Sequence, residues 1–205
     1  MSKSRSKKSL FKNVSYIVEP EFESINDSTE GLSPVRLNGK WGYINYDGEI
    51  VIEPQFNYVL EFSEGLACVN INNKWGYINH AGIIVIEPQY DDLPGSFQEG
   101  LARIAEYDRP IDSFKKGQSI RLRSKFGYIN RKGVITIAPQ YRHAGYFTEG
   151  LASVSPDHKC GYIDKQGAVI IDFIFDNAHP FINNRAVVCI DNKWGIIEHP
   201  LYSSL

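Results

Sequence analysis

The sequence predicts an all-β fold of five three-stranded antiparallel units, each of about 34 residues. Three observations favour this fold: a recurring Lys-Trp-Gly-Tyr-Ile phrase, apolar side chains that alternate at every second residue, and glycines at fixed turn positions. We call the tryptophan position of the phrase its anchor. The anchors of the five units are Trp41, Trp75, Phe126, Cys160 and Trp194, at intervals of 34, 51, 34 and 34 residues. Helical hairpins of this period are disfavoured, because every unit holds obligatory glycines and runs of β-branched residues.

Each unit begins with a strand and a tight turn. In residues 66–71, Ala67, Val69 and Ile71 fall on one face and Leu66 and Cys68 on the other, which is the period of a β-strand. The residue pairs that follow tolerate the positive φ that a type I′ turn needs. These pairs are Asn38-Gly39, Asn72-Asn73, Asp157-His158 and Asp191-Asn192.

The Lys-Trp-Gly strand comes second, and its turn ends in a glycine seven residues past the anchor, as at Gly48 and Gly82. That glycine predicts a hairpin with a left-handed bulge residue. A third, β-branched strand follows, as in residues 49–54, and its proline is predicted to end it because proline donates no ladder hydrogen bond. A linker with two recurring aromatics, such as Phe56 and Phe62, then leads to Glu-Gly-Leu, and we expect these aromatics in the core.

The two chain ends predict how the units assemble. Residues 14–22 match a third strand alone, and residues 186–197 match a first and second strand alone. We therefore predict a propeller-like closed array in which the N-terminal strand, residues 16–20, completes the last unit. Contact between Ile17 and Ile196 is expected of the closed form. The alternative is an open β-meander or solenoid with these strands as end caps.

The complete repeat runs from Lys-Trp-Gly-Tyr-Ile-Asn through Gly and Val-Ile-Glu-Pro to Phe-Ser-Glu-Gly-Leu-Ala, and it resembles the WG repeat family, also called KWG repeats, of bacterial proteins. The resemblance covers residues 14–198. Departures are Phe126 and Cys160 in place of tryptophan, Phe173 in place of proline, and Asn-Asn-Arg at residues 183–185 in place of Glu-Gly-Leu. The resemblance implies a non-enzymatic scaffold or interaction module without shared catalytic residues.

Composition and charge restrict the function classes. The net charge is −2, but residues 1–12 carry five basic residues and no acid, so the other 193 residues carry 17 basic against 24 acidic residues, or −7. An acidic body argues against nucleic-acid binding. We interpret residues 1–13 as a basic disordered tail and residues 14–205 as a single repeat domain. No signal peptide or membrane span is evident, so a cytoplasmic protein is expected.

Candidate catalytic and metal-binding residues are few. Cys68, Cys160 and Cys189 occupy unrelated repeat positions, which favours reduced thiols over a disulfide or metal site. The histidines are predicted on the surface without zinc-ligand spacing, and no cofactor is expected. Glutamates that recur once per unit, such as Glu64, are interpreted as turn caps. Tryptophans such as Trp41 are predicted in the core, with an exposed stacking ring as the alternative.

The third unit carries sixteen extra residues between Gly100 and Phe126, which predicts an inserted hairpin over residues 106–123. With Lys125, Arg131 and Lys132, its cations predict a basic patch on an acidic body. The insertion is either a tolerated elaboration or a recognition element for an acidic protein. The candidate partner-binding residues are Tyr107, Arg109, Phe114, Lys115, Lys116, Arg121 and Arg123.

We therefore expect a non-enzymatic protein–protein interaction module that uses the inserted hairpin and the loops between units. An inhibitor or immunity-type protein that covers a toxin is one form of this hypothesis. A lectin-like protein that binds carbohydrate or cell-envelope ligands through exposed aromatics is the first alternative. An enzyme with an unrecognised site is the second, which five near-equal units without a unique nucleophile–base pair disfavour.

Overall fold

A computed structural model of the chain describes residue 17, residues 21–107 and residues 124–201. This part of the chain holds eighteen strands and no α-helix, and no helix in it has the length and apolar character of a membrane span. In chain order the strands are β1 (Ser24–Ile25), β2 (Ser33–Leu37), β3 (Lys40–Ile44), β4 (Ile50–Phe56), β5 (Tyr58–Val59), β6 (Leu66–Ile71), β7 (Lys74–Asn79), β8 (Ile84–Tyr90), β9 (Leu101–Tyr107), β10 (Ser124–Asn130), β11 (Ile135–Tyr141), β12 (His143–Ala144), β13 (Leu151–Ser155), β14 (Cys160–Asp164), β15 (Val169–Phe175), β16 (Asn177–Ala178), β17 (Arg185–Ile190) and β18 (Lys193–Glu198).

These strands form five antiparallel sheets, each built from consecutive strands. Sheet 1 contains β1 to β4, sheet 2 contains β5 to β8, sheet 3 contains β9 to β11, sheet 4 contains β12 to β15, and sheet 5 contains β16 to β18. The predicted all-β repeat of three antiparallel strands is confirmed. A two-residue linker strand, which the sequence analysis did not predict, extends sheets 1, 2, 4 and 5.

Closure of the array is not seen in the described part of the chain. No described strand pairs with the outer edge of β18, and no sheet among these residues closes on itself. Ile17 and Ile196 are 79% and 69% exposed. Closure therefore stays a prediction.

The glycine of the Lys-Trp-Gly phrase is required by a bulge in the neighbouring strand. Trp41 pairs with Phe56 and Tyr43 with Ile52, so a two-residue step on β3 faces a four-residue step on β4. A Cβ on Gly42 would lie 2.3 Å from the Ile52 carbonyl oxygen. Gly76, Gly127 and Gly161 meet the same backbone approach, with their Cβ positions 2.4–2.5 Å from a carbonyl oxygen.

The bulge also corrects the predicted end of the third strand. Pro54 lies inside β4, which continues to Phe56. Proline is tolerated there because a bulge takes its missing N–H out of the ladder. Phe173 replaces this proline in sheet 4, and the register shift is nevertheless retained, with Cys160 opposite Phe175 and Tyr162 opposite Ile171.

The first turn of the hairpin is confirmed in three places. Both central residues have positive φ at Asn38-Gly39, Asn72-Asn73 and Asp191-Asn192, as type I′ turns require. The prediction is wrong at Asp157-His158, neither of which has positive φ. There β13 ends at Ser155 and the loop is longer, because Pro156 has no N–H to extend the ladder.

The second turn of the hairpin is confirmed with its bulge glycine. Gly82 has φ of 76°, and the Asn79 side-chain oxygen accepts hydrogen bonds from the N–H groups of Ala81 at 3.0 Å and Ile83 at 3.1 Å. The same arrangement is centred on Asn45, Asn130 and Asp164. An Asn or Asp at this position therefore fixes the turn through its own side chain.

The core lies between consecutive sheets and is centred on tyrosine. Tyr77 is 1% exposed, and its hydroxyl donates to the Gly95 carbonyl at 2.7 Å while its ring packs on Phe97 at 4.9 Å. Tyr43, Tyr128 and Tyr162 repeat both contacts. The linker aromatics are thus core residues, as predicted.

The tryptophans, by contrast, lie at the margin of the core. Trp41 and Trp75 are partly buried against the clusters between sheets, and Trp194 is 57% exposed. The predicted core tryptophan is therefore corrected to the tyrosine two residues later, because that ring points between the sheets.

We predict that Gly76→Ala lowers the free energy of unfolding by about 3 kcal/mol, because its Cβ would meet the Ile86 carbonyl oxygen at 2.5 Å and force the two strands apart. Urea denaturation followed by circular dichroism measures the change. Val85→Ala, on the exposed side of the same sheet, is the control and should change stability by about 0.5 kcal/mol or less. Equal effects of the two substitutions would contradict the proposed close approach.

Candidate functional site

In sheets 1 to 4, a tight turn before the first long strand carries glutamate in a left-handed conformation. In sheet 2, Glu64 has φ of 54° and Gly65 has φ of 77°, and the turn is closed by two hydrogen bonds between the backbones of Ser63 and Leu66, at 2.9 and 3.2 Å. A left-handed non-glycine residue costs about 1–2 kcal/mol. A compensating interaction must therefore favour glutamate here.

That interaction reaches the next sheet. The Glu64 carboxylate accepts the N–H of Gly100, in the turn of sheet 3, at 2.8 Å. Glu30 accepts from Gly65 at 3.0 Å, Glu99 from Gly150 at 2.9 Å, and Glu149 from Asn184 at 2.9 Å. We call Glu30, Glu64, Glu99 and Glu149 the glutamate ladder. The predicted capping role is correct, but the capped N–H belongs to the following repeat.

A second residue of the following sheet reinforces the ladder. His80 Nε2 lies 2.9 Å from the Glu30 carboxylate, and Lys165 Nζ lies 3.1 Å from that of Glu99. His199 Nε2 lies 2.9 Å from the Glu149 carbonyl oxygen. His199 is 1% exposed, so the prediction of surface histidines is wrong for this residue, which lies between sheets 4 and 5.

The ladder turns converge on an open cavity of about 390 Å³. Its lining takes equivalent residues from sheets 2 to 5: Ser63, Glu64, Phe97, Gln98, Glu99, Phe147, Thr148, Glu149, Phe181, Ile182 and Asn183. The carboxylates in it already accept backbone N–H groups. Within residues 21–107 and 124–201, no cluster of His, Cys, Asp and Glu has a metal-binding arrangement.

Sheet 5 departs from the pattern at the positions that depend on a following repeat. Asn183 replaces glutamate in the left-handed turn, and Ile196 stands where the other sheets have the buried tyrosine. No atom lies within 4 Å of a Cβ built on Gly195, because β18 has no described third strand beside it. We call the outer side of β18, Lys193–Glu198, the open edge.

The role of the lysine in the repeated phrase was not predicted from the sequence. Lys74 Nζ lies 2.6 Å from Asp91, and Lys159 Nζ lies 2.5 Å from Asp176. This hydrogen bond raises the pKa of Lys159 and lowers that of Asp176. Lys40 reaches Asn57 at 2.5 Å in the same way. The constant separation of 17 residues was the signal that could have identified these pairs.

Tyr107 is the one predicted partner-binding residue within the described part of the chain. It ends β9 and pairs with Ser124, and its hydroxyl donates to the Asp92 carboxylate. This hydrogen bond favours the neutral phenol and raises the pKa of Tyr107 to about 12. The other candidates lie outside the described residues: Arg109, Phe114, Lys115, Lys116, Arg121 and Arg123.

The described residues of the predicted basic patch, Lys125, Arg131 and Lys132, do not lie together. Lys125 lies at the start of β10, whereas Arg131 and Lys132 follow its end, so a strand of about 20 Å separates them. The Arg131 guanidinium instead lies beside the turn of sheet 2, 3.3 Å from a Cβ built on Gly65. This part of the prediction is wrong because residues that are close in the sequence lie far apart in space when an extended strand separates them.

The family model for the WG containing repeat matches the sequence five times, at residues 15–41, 41–75, 75–109, 126–157 and 161–194. The chain belongs to the WG repeat family. The matches of this WG repeat protein leave out residues 110–125, which overlap the predicted insertion over residues 106–123. No curated protein matches the chain.

Among solved structures, the WG repeat protein is similar to a protein of unknown function from Bacteroides caccae, solved at 1.35 Å resolution. The two are 11% identical, and the match covers 85% of this chain and 77% of the other, with a TM-score of 0.35. A likeness at this level carries no argument about fold details or function.

We predict that Glu64→Ala lowers the free energy of unfolding by about 2 kcal/mol, because it removes a charged acceptor from the Gly100 N–H. Glu64→Gln should lose about 1 kcal/mol, since an amide oxygen still accepts but without charge. Urea denaturation measures both. Glu61→Ala, an exposed glutamate in the preceding linker, is the control, and a loss there as large as at Glu64 would refute the ladder's contribution.

We predict that Tyr107 titrates near pH 12 and that Asp92→Asn lowers its pKa toward 10. Because the folded-state pKa is raised, the contribution of this hydrogen bond to stability is complete below pH 10 and is lost between about pH 10 and 12. The difference in 295 nm absorbance between the parent and Tyr107→Phe isolates this phenol. Titration near pH 10 in the parent would contradict the assignment.

Proposed function

We propose that this WG repeat protein is a non-enzymatic protein–protein interaction module that recognises an acidic surface of another protein. The observation that carries the proposal is the junction between Tyr107 and Ser124, which pair as the last rungs of an unbroken ladder between β9 and β10. Residues 108–123 are therefore an addition to a hairpin that is complete without them. An added segment at the end of a hairpin is free to serve recognition.

The uses of the repeated polar residues support this proposal. The glutamate ladder joins consecutive sheets, the asparagines fix turns, the tyrosine hydroxyls bind linker carbonyls, and the lysines pair with residues after the third strand. The repeat itself thus accounts for these groups. The insertion is the stretch that the repeat does not explain.

The charge of the insertion indicates the chemistry of the partner. Residues 108–123 contain five basic and two acidic residues, a charge of 5 − 2 = +3, whereas the whole chain carries −2. A local positive charge steers association with an acidic surface. Phe114 and the arginines are residue types that dominate binding energy in interfaces. An inhibitor or immunity-type protein that covers its target would use such an element.

The proposal includes a closed, propeller-like array in which residues 16–20 complete sheet 5. The convergence of the turns of sheets 2 to 5 on one cavity supports a radial arrangement. Tyr107 ends β9 and Ser124 begins β10, so both lie about 20 Å from the Gly100 turn, at the far end of sheet 3 from this cavity. In a closed array the two residues that flank the insertion therefore lie on the outer side, where a large partner has access.

We predict that deleting residues 108–118 removes partner binding and leaves the fold intact. The immobilised parent and variants are incubated with lysate of the source cells, and retained proteins are identified and purified. The parent should bind an acidic protein. For the deletion variant and for Lys115→Glu/Lys116→Glu, the Kd for this protein, measured by calorimetry, should be at least tenfold higher than for the parent. The parent's affinity should fall as salt rises, because the attraction is electrostatic.

Lys7→Glu/Lys8→Glu is the matched control, since it makes the same charge change in the N-terminal segment and should retain the partner. Unchanged circular dichroism of the deletion variant shows that the sheets remain. If the deletion variant binds every partner of the parent with unchanged affinity, the insertion is not the recognition element.

A further inference from the structure

We propose that the open edge of β18 is a docking site for residues 16–22 of the same chain, in the register that third strands adopt in the other sheets. Phe22 then lies opposite Trp194 and Val18 opposite Ile196. This inference rests on the closed array proposed above and specifies the contacts that hold it together. It gives the last sheet the third strand that every other sheet has.

The phrase at the start of β18 is the first support. In sheet 2 the lysine reaches Asp91, the tryptophan pairs with Tyr90, and the glycine admits the bulged backbone of β8. All three uses require a third strand or the residue that follows it. Sheet 5 keeps Lys193, Trp194 and Gly195, although no described strand lies on that side.

Gly195 is the most specific of these residues. Glycine within a strand weakens it, because it gives up backbone entropy and has no side chain to pack. Gly76 offsets this cost through an approach that no Cβ would permit, 2.5 Å from the Ile86 carbonyl oxygen. In the described structure a Cβ on Gly195 would meet no atom within 4 Å. A glycine suited to a bulged strand therefore faces an edge that can receive one.

The segment that fits this edge is the start of the chain. Residues 16–22 read Tyr-Ile-Val-Glu-Pro-Glu-Phe, and residues 50–56 of β4 read Ile-Val-Ile-Glu-Pro-Gln-Phe. Both carry Glu-Pro at the position of the bulge and phenylalanine at the end. If β18 and residues 16–22 pair in the same register as β3 and β4, Phe22 lies opposite Trp194 and Val18 lies opposite Ile196.

The described residues that follow the segment are already in the geometry of a linker. The N–H of Glu23 donates to the Arg36 carbonyl at 2.8 Å, as the N–H of Asn57 donates to the Asn70 carbonyl at 2.9 Å. Asn57 directly follows Phe56, the last residue of a third strand, just as Glu23 directly follows Phe22. The chain therefore enters sheet 1 as it enters sheet 2 from a third strand.

The exposure of Ile17 agrees with this register. Ile17 is equivalent to Val51 of β4 and Val85 of β8, which point outward and are 44% and 42% exposed. An outward Ile17 is thus expected even when the strand is docked. The expected contact between Ile17 and Ile196 is therefore corrected: the contact that marks closure is between Val18 and Ile196, since Val18 corresponds to the buried Ile52.

Glu23 supplies the partner that Lys193 requires. The residue after the third strand carries the acceptor for the phrase lysine, as at Asp91 and Asp176. One Asp176 oxygen accepts from Lys159 while the other accepts the N–H of Asp191, in the turn of the next sheet. One Glu23 oxygen accepts the N–H of Gly39, in the equivalent turn of sheet 1, at 3.0 Å, and the other lies 3.5 Å from Arg36 Nε. In the docked register its carboxylate also meets Lys193.

Zero-length cross-linking of the full chain tests the docking. A water-soluble carbodiimide joins an amine to a carboxylate only when the two are in contact, and peptide mass spectrometry identifies the linked pair. We expect an amide between Lys193 and Glu23 within the monomer. The Lys74–Asp91 pair, at 2.6 Å, is the internal positive control. Gly195→Val should reduce the Lys193–Glu23 product at least tenfold and leave the control pair unchanged, whereas Ile196→Val in the same strand should keep both.

The inference is overturned if the control pair forms and Lys193–Glu23 does not, or if Gly195→Val leaves that product unchanged. A product found solely between two chains replaces docking in cis by strand exchange with a second copy. Hydrogen exchange at the β18 N–H groups that face away from β17 separates the remaining cases. Slow exchange of these groups without the cross-link rejects the register, and fast exchange rejects closure as well. Gly195→Val should retain the partner bound through the insertion, so the docking and the binding function can fail independently.

Discussion

The fold depends on a carboxylate that accepts a backbone N–H of the next repeat. Glu64 adopts a left-handed conformation that its side chain disfavours, and its bond to the Gly100 N–H, at 2.8 Å, compensates for it. Because one turn supplies both the glutamate and the N–H that the preceding glutamate needs, each sheet is positioned by its neighbour. Apolar contacts such as Tyr77 on Phe97 then fill the space between sheets whose spacing these turns set. Local turn chemistry and the long-range core are thereby coupled.

Much of the architecture could be predicted because its causes are local. Strand alternation and the turn glycines, such as Gly82, are determined by residues within a few positions of one another. The position of Pro54 inside a strand could not be derived in this way, because it depends on the backbone of Gly42 in a neighbouring strand. The sequence also could not show that tyrosine, and not tryptophan, is the core residue, because this depends on the direction of side chains at the contact between two sheets.

In the candidate site, too, some features could be predicted from the sequence and others could not. The position of the insertion followed from the period, and the pairing of Tyr107 with Ser124 locates its base. The grouping of Lys125 with Arg131 was predicted from closeness in the sequence and is wrong, because the two residues lie at opposite ends of β10. The glutamate ladder was recognised as structural, but its direction could not be seen, since the bonded residues are separated by a whole repeat. Only the exception at Asn183, which replaces glutamate in the turn of the last sheet, carried that information in the sequence.

The direction of the ladder makes the two ends of the array chemically unequal. Loss of sheet 1 would leave the Gly65 N–H without its acceptor, which is a neutral group that water can satisfy. Loss of sheet 5 would deprive Glu149 of the Asn184 N–H and the His199 ring, and leave an anion in an unfavourable backbone conformation. The ladder bond between sheets 1 and 2 is therefore less costly to lose than the ladder bond between sheets 4 and 5. A protein that loses its last repeat must at the same time replace its new last glutamate by a residue such as asparagine.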